Sequence, residues 1–146
     1  MTLINIISFG YINGKPNINE NDLLLGVRHM NNVNKKLRDK YDGTYGELQR
    51  ELLEDMYNKK IYDDIIDQIF AKISGCNNLA ELNIFVGCEK GIHRSVAVSI
   101  CLSKDINSRF DNNINIFHRD LRGLIISKKR FTQNRSIERN LKLEFI

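Results

Sequence analysis

The stretch ELNIFVGCEKGIHRSVAVSICL, residues 81–102, constrains the fold more than any other part of the chain. An apolar run enters a short polar loop, and an apolar pattern at helical spacing follows. This order is typical of a buried strand, a loop and a helix in an α/β protein. The sequence therefore places a loop rich in glycine and basic residues between the carboxyl end of a strand and the amino end of a helix.

The rest of the chain alternates strands and helices in the same way. Further strands are predicted at 2–9, 22–29 and 113–118, beside the strand at 81–87. Residues 30–43 have no sustained period and are expected to form a loop with one helical turn. This alternation predicts a single-domain α/β fold whose mixed or mostly parallel sheet is flanked by helices.

Capping signals set the expected helix boundaries. Thr44 and Glu47 match a T-x-x-E capping box, and Leu48, Leu52 and Met56 mark the buried stripe of the helix that it would begin. A second helix is predicted from about 59 to 74, with Gly75 placed to end it. The third is predicted from 94 to about 104.

Charge divides the chain into a domain, residues 1–122, and a basic extension, residues 123–146. The chain has 22 basic and 18 acidic residues, a net charge of +4. Residues 116–146 alone carry +5, with eight basic side chains against three acidic ones. The segment is either a solvated extension or an arm that binds a polyanion such as RNA.

Cysteine content and hydropathy indicate the compartment. The three cysteines are an odd number, and residues 1–10 contain no basic residue and no signal cleavage site. No apolar run approaches the roughly 20 residues that span a bilayer. We expect a reduced, cytoplasmic protein with no membrane partner, and a homodimer is compatible with the sequence.

The loop at 87–95 has the properties of an anion site. A helix amino end offers unpaired N–H groups and partial positive charge. Gly87 and Gly91 permit positive φ, which turns backbone amides inward. Lys90, His93 and Arg94 add donors.

All three histidines stand next to an arginine, in the pairs 28–29, 93–94 and 118–119. Neighbouring guanidinium charge disfavours a metal cation and favours an anion, so no metal is expected. The pairs follow predicted strands, whose carboxyl ends bind ligands in open α/β sheets. Any one of these histidines has the alternative of a packing or capping role.

The segments ISFGYINGKP, GVRHM, VGCEKGIHRSVAVS and NIFHRDL resemble, in order and spacing, the C-terminal domain of the RNase adapter protein RapZ. The resemblance covers residues 4–121, and the glycine–cysteine loop ending in H-R-S-V is its most specific part. It implies a fold similar to a phosphofructokinase subdomain, binding of a small RNA and sensing of glucosamine-6-phosphate. No cofactor is implied.

The resemblance also implies site residues. By this resemblance a phosphate or sugar-phosphate pocket would be lined by Cys88, Gly91, His93, Arg94 and Ser95. Lys90 and Ile92 of the same loop, and Arg28, are further candidate ligand-binding residues. RNA would lie along Arg119, Arg122, Lys128, Lys129 and Arg130. Glu89-Lys90 replaces the family's Thr-Gly, which brings a carboxylate into the loop. No G-x-x-x-x-G-K-[ST] loop is present, so nucleotide binding of that kind is not expected.

The alternative is an enzyme, because Cys88, Arg94 and Ser95 match the C-x-x-x-x-x-R-S spacing of cysteine-dependent phosphatases. A thiolate at a helix start is stabilised by the dipole, and an arginine six residues later can hold phosphoryl oxygens. However, Gly87 stands where such enzymes have histidine, and the general acid is unassigned because Asp63, Asp64 and Asp67 lie on a predicted helix. The favoured interpretation is a non-catalytic module that binds RNA and a phosphorylated ligand.

Overall fold

A parallel β-sheet organises the residues that the computed structural model describes, 2–75 and 79–121. Its strands are β1 (Leu3–Gly10), β2 (Leu23–Gly26), β3 (Glu81–Cys88) and β4 (Ile114–His118), in the spatial order β2-β3-β1-β4. Every pairing is parallel. The predicted single-domain α/β fold is confirmed.

Within residues 2–75 and 79–121, four α-helices accompany the sheet: α1 (Lys35–Lys40), α2 (Gly46–Glu54), α3 (Met56–Ser74) and α4 (Arg94–Arg109). A short 3₁₀ turn, Tyr11–Asn13, follows β1. None of these described helices is both long and apolar enough to cross a membrane.

The two faces of the sheet bury different sets of side chains, because successive strand residues point in opposite directions. Ile4 and Ile6 of β1 share the larger cluster with apolar residues of α2, α3 and α4. Ile7 and Phe9 face the other way and pack with Phe85 and Phe117. The loop after β1 covers this smaller cluster with Tyr11 and Ile18.

A row of asparagines crosses the second face near the start of the strands. Asn5, Asn83 and Asn115 occupy matched positions in β1, β3 and β4. Asn115 Nδ2 donates to Asn5 Oδ1 at 3.2 Å, and Asn5 Nδ2 donates to Asn83 Oδ1 at 2.9 Å. Asn83 Nδ2 in turn donates to Asp22 Oδ1 at 3.3 Å. The side-chain amides therefore form a hydrogen-bonded chain that runs in one direction across three strands.

The capping box predicted at Thr44 is wrong. The amino cap of α2 is Tyr45, and the Thr44 hydroxyl instead donates to Asp42. Asp55 caps α3 by accepting a hydrogen bond from Asn58 N at 3.0 Å, so that α2 ends at Glu54 and α3 begins at Met56. Met56, predicted to be buried, begins α3 and is 87 % exposed.

Other boundaries differ by a few residues. β2 ends at Gly26, three residues before the predicted end, and α4 continues to Arg109. The single turn expected within 30–43 is α1. Gly75 ends α3 as predicted but with φ −90°, which any residue can adopt.

Two glycines bring the end of β1 against the loop after β3. A Cβ on Gly10 would lie 2.3 Å from the carbonyl carbon of Lys90, and one on Gly91 would lie 2.5 Å from the Gly10 nitrogen. Gly91 also has φ 76°, which L side chains rarely adopt. The two backbones touch directly only because both residues lack a side chain.

We expect Gly10→Ala to lower the free energy of unfolding by about 1–3 kcal/mol or more, since the added methyl group meets backbone that cannot rotate away. Urea denaturation measures the loss. Gly46→Ala is the matched control: nothing lies within 4 Å of its Cβ position, and alanine suits a helix, so stability should be unchanged or higher. Equal stability of the two variants would contradict the contact.

Candidate anion-binding site

The sheet's strand order makes the carboxyl ends of β1 and β3 the place where an open α/β sheet is expected to bind a ligand. These strands are neighbours, yet the chain leaves β1 towards Tyr11 on the second face and leaves β3 towards α4 on the first. When the connections that leave two neighbouring strands pass over opposite faces of a sheet, ligands typically bind at the carboxyl ends of those strands. Loop 87–95 lies at this point.

The loop holds backbone N–H groups without partners. Among the described residues, no hydrogen bond uses an N–H from Glu89 to Val96 as its donor, and the first helical bond of α4 runs from Ala97 N to His93 O at 2.9 Å. The cap residue of α4, His93, makes no capping hydrogen bond with its side chain. Within the described residues, the Glu89 carboxylate pairs with Arg28 at 3.9 Å and does not accept from these amides. The donors needed for an anion are therefore available.

Arg94 is not directed at an anion in this structure. Its Nη1 donates to the carbonyl oxygens of Arg28 at 2.6 Å and Met30 at 3.0 Å. A cation at the first residue of a helix opposes the helix dipole, and the two carbonyls offset that cost. Its Nε is buried and has no partner among the described residues. Arg94 thus fixes the chain beyond β2 against the start of α4.

Cys88 lies beneath the loop. It is 3 % exposed, belongs to the larger apolar cluster, and donates its thiol to Ser95 Oγ at 3.1 Å. Ser95 is fully buried, and its carbonyl accepts from Ser99 Oγ at 2.7 Å. With the thiol buried and the Arg94 guanidinium bound to carbonyls, the structure does not support the phosphatase alternative.

Gly87 is also placed differently from the expectation. It lies within β3, and positive φ in the described residues occurs at Gly14 and Gly91 rather than there. A Cβ on Gly87 would lie 2.4 Å from the Phe9 ring and 2.7 Å from the Tyr11 ring. Its role is to make room for these aromatic side chains.

His93 bonds to the segment before α2. Its Nε2 lies 2.7 Å from the Arg38 carbonyl oxygen, and burial lowers the pKa of the imidazole below its ordinary value. The neutral ring is therefore favoured, and as neutral imidazole His93 contributes no positive charge to the loop.

His118 and Arg119 have internal partners as well. His118 is buried, with Nδ1 2.7 Å from Ser8 Oγ. Arg119 donates to the Gly14 carbonyl at 2.7 Å and pairs with Asp120 at 3.1 Å, and only 11 % of its side chain is exposed. Asp120 accepts from Gly10 N at 2.5 Å. This corner holds the end of β1 and the loop after it.

Arg28 and Lys90 are exposed cations beside the loop. The Arg28 guanidinium stacks on the Tyr11 ring, 3.9 Å from its centroid, and 56 % of the side chain is exposed. Lys90 lies at the solvent-facing turn of the loop. His29 is exposed elsewhere, in a groove of about 320 Å³ that it shares with Asp64 of α3.

Tyr11 and Asp120 are site residues that the sequence interpretation missed. Each follows the end of a strand, β1 and β4 respectively, and all strand ends of a parallel sheet meet at one edge. Both lie in segments that carry the family resemblance, ISFGYINGKP and NIFHRDL, and their position just after a strand was the further signal available.

A model of a known protein family matches most of the chain. The model of the RapZ C-terminal domain matches residues 2–122. The chain belongs to the RapZ C-terminal domain family. The resemblance carried by the loop and the strand ends is thereby confirmed, and the loop of this RapZ-type domain keeps the G-C and H-R-S-V elements with Glu89 and Lys90 between them.

Curated relatives are longer proteins. One called nucleotide-binding protein, from Staphylococcus carnosus, is 31 % identical over 121 residues, which are 80 % of this chain and 38 % of the relative. Another of the same name, from Pediococcus pentosaceus, is 30 % identical over 137 residues, 91 % of this chain and 43 % of the relative. The chain spans about two fifths of the length of these relatives. Arg122, Lys128, Lys129 and Arg130 lie outside the described residues.

We expect Arg94→Ala to lower the free energy of unfolding by about 1–2 kcal/mol, because two charge-assisted bonds are lost while an unfavourable dipole contact is relieved. Urea denaturation checks this. Arg109→Ala, at the exposed far end of the same helix, is the control and should cost less. A loss at Arg94 no larger than at Arg109 would contradict the clamp.

Proposed function

We propose that this RapZ-type domain is a non-catalytic module that binds phosphorylated ligands at loop 87–95. The observation that carries the proposal is the run of N–H groups from Glu89 to Val96 that have no hydrogen-bond acceptor among the described residues, with the exposed cations of Arg28 and Lys90 beside it. Backbone donors at a helix start bind phosphate oxygens, and exposed cations add attraction.

Arg94 contributes indirectly in this proposal. By holding the carbonyls of Arg28 and Met30, it positions the segment that carries the Arg28 side chain. The buried and unpartnered Nε of Arg94 is one further donor that a bound oxygen atom could use after a small movement.

The relatives are called nucleotide-binding protein, and nucleotides carry the phosphate group that loop 87–95 is proposed to bind. A sugar phosphate such as glucosamine-6-phosphate is the small ligand that the family resemblance suggests. The Glu89 carboxylate, 53 % exposed, can accept from the hydroxyl or ammonium groups of such a sugar.

RNA is the polymeric ligand of the proposal, and the support for it is charge. The net charge of +5 over residues 116–146 provides cations for several consecutive phosphates. Because Arg119 already donates to the Gly10 and Gly14 carbonyls, the proposal gives the other cations of this segment the larger part in RNA contact.

We expect Lys90→Ala to weaken binding of glucosamine-6-phosphate roughly fivefold, because one charge-assisted contact with the phosphate is lost. Isothermal titration measures the affinity, with unphosphorylated glucosamine as the ligand control and Lys60→Ala, an exposed lysine of α3, as the protein control. Equal affinity of Lys90→Ala and the unaltered protein, or equal binding of glucosamine, would overturn the loop assignment.

We expect the triple change Lys128→Ala, Lys129→Ala and Arg130→Ala to reduce the slope of log affinity against log salt for single-stranded RNA by about 2, since each phosphate contact contributes about 0.7. Filter binding over a series of salt concentrations gives the slope. A matched triple change at Lys59, Lys60 and Lys72 of α3 removes the same charge and should leave the slope nearly unaltered. Indistinguishable slopes for the two triple variants would remove the basic segment from the proposal.

A further inference from the structure

We propose that Arg28 stacked on Tyr11 is a platform for a nucleobase, placed beside the loop that holds the phosphate. This inference rests on the proposed phosphate binding and adds the class of ligand: a nucleotide unit, either free or within RNA. Three structural features of the described residues and one chemical feature of the ligands support it.

The first feature is the floor beneath Tyr11. Gly26 of β2 and Gly87 of β3 are register partners at the carboxyl edge of the sheet. A Cβ on Gly26 would lie 3.0 Å from Tyr11 Oη, and one on Gly87 would lie 2.7 Å from Tyr11 Cε2. The absence of two neighbouring side chains creates the flat space in which the ring lies.

The second feature is the fixed position of the ring. Phe9 contacts Tyr11 edge to face, with ring centroids 4.9 Å apart. The next residue, Ile12, donates its N–H to the Glu89 carbonyl at 3.0 Å. Tyr11 is therefore held between the sheet and loop 87–95, and little conformational entropy remains to be lost when a ligand binds.

The third feature is the guanidinium above the ring. It lies 3.9 Å from the Tyr11 centroid, with the Glu89 carboxylate 3.9 Å from Nη1. The Arg28 carbonyl is held by Arg94, so the backbone of the platform is fixed as well. More than half of the Arg28 side chain remains exposed. The planar guanidinium of Arg28 is thus held in place by the Tyr11 ring beneath it and remains accessible to solvent.

The fourth feature is chemical. Bases stack on the planes of arginine and aromatic side chains, and one such contact contributes roughly tenfold or more to the affinity for a single strand. A sugar phosphate has no flat π surface and gains nothing from this geometry. Because Glu89 joins the platform to the loop, one ligand unit with a phosphate and a base can engage both.

The test compares adenosine 5′-monophosphate with ribose 5-phosphate, which differ in the base alone, and includes a hexamer of riboadenylate. Isothermal titration is carried out on the full chain and on Arg28→Lys, which keeps the charge but loses the plane. Tyr11→Leu removes the ring beneath. Arg109→Lys is the matched control, because Arg109 is also an exposed arginine stacked on an aromatic ring, 4.7 Å from the Phe70 centroid, at the opposite end of α4.

The expected result is that the unaltered protein prefers the base-containing ligand over ribose 5-phosphate roughly tenfold. Arg28→Lys and Tyr11→Leu should remove most of that preference, and Arg109→Lys should retain it. If the hexamer alone shows the effect, the base comes from RNA; if the mononucleotide shows it too, a free nucleotide suffices.

Two outcomes would overturn the proposal and differ from each other. Equal affinity for ribose 5-phosphate and the base-containing ligands in the unaltered protein would reject the platform and leave the phosphate site standing. No binding of any phosphorylated probe would reject the proposed function and the platform together. Circular dichroism of each variant shows whether a loss of binding reflects unfolding.

Discussion

The direct contact between Gly10 and Gly91 is the constraint on which the rest of this edge of the molecule depends. It places the loop after β3 against the end of β1. At that end the Asp120 carboxylate accepts from the Gly10 amide, and Arg119 donates to the carbonyl oxygens of Gly10 and Gly14. The carbonyl of Ile92 then accepts from Gly43 N at 2.8 Å, which ties the segment before α2 to the same loop. Side chains as small as alanine at either glycine would separate these elements.

The basic residues of this edge divide into two groups. Arg94, Arg119, His93 and His118 are bonded to carbonyls or to buried side chains and build the frame. Arg28 and Lys90 remain exposed. A structural cation bound to carbonyls still contributes to the local potential, because carbonyl oxygens carry only partial negative charge. Of the frame, Arg94 therefore adds to the attraction for an anion, whereas His93 is neutral and the charge of Arg119 is offset by Asp120.

The sequence predicted the fold class, the four strands and the loop–helix junction, because hydrophobic periodicity reports directly on burial. The loop remains a predicted site, and the structure shows that Arg94, predicted to contact the ligand, also binds backbone carbonyls. Residue spacing places a side chain along the chain and does not reveal distant acceptors such as the carbonyls of Arg28 and Met30. The capping box at Thr44 was wrong for a similar reason, since Asp42 competes for the hydroxyl. Tyr11 was missed because its role arises from two glycines in other strands.

The asparagine row has a consequence for how the strands find one another. Apolar contacts tolerate small displacements, whereas amide groups must face one another with donor against acceptor. A shift of one residue between β1 and β3 would set Asn5 beside an apolar neighbour, Leu82 or Ile84, and break the buried hydrogen bond from Asn5 Nδ2 to Asn83 Oδ1. The asparagine row therefore favours the native register of β1 and β3 at the end of the strands remote from the loop. The same register brings Gly10 and Gly91 into contact at the other end.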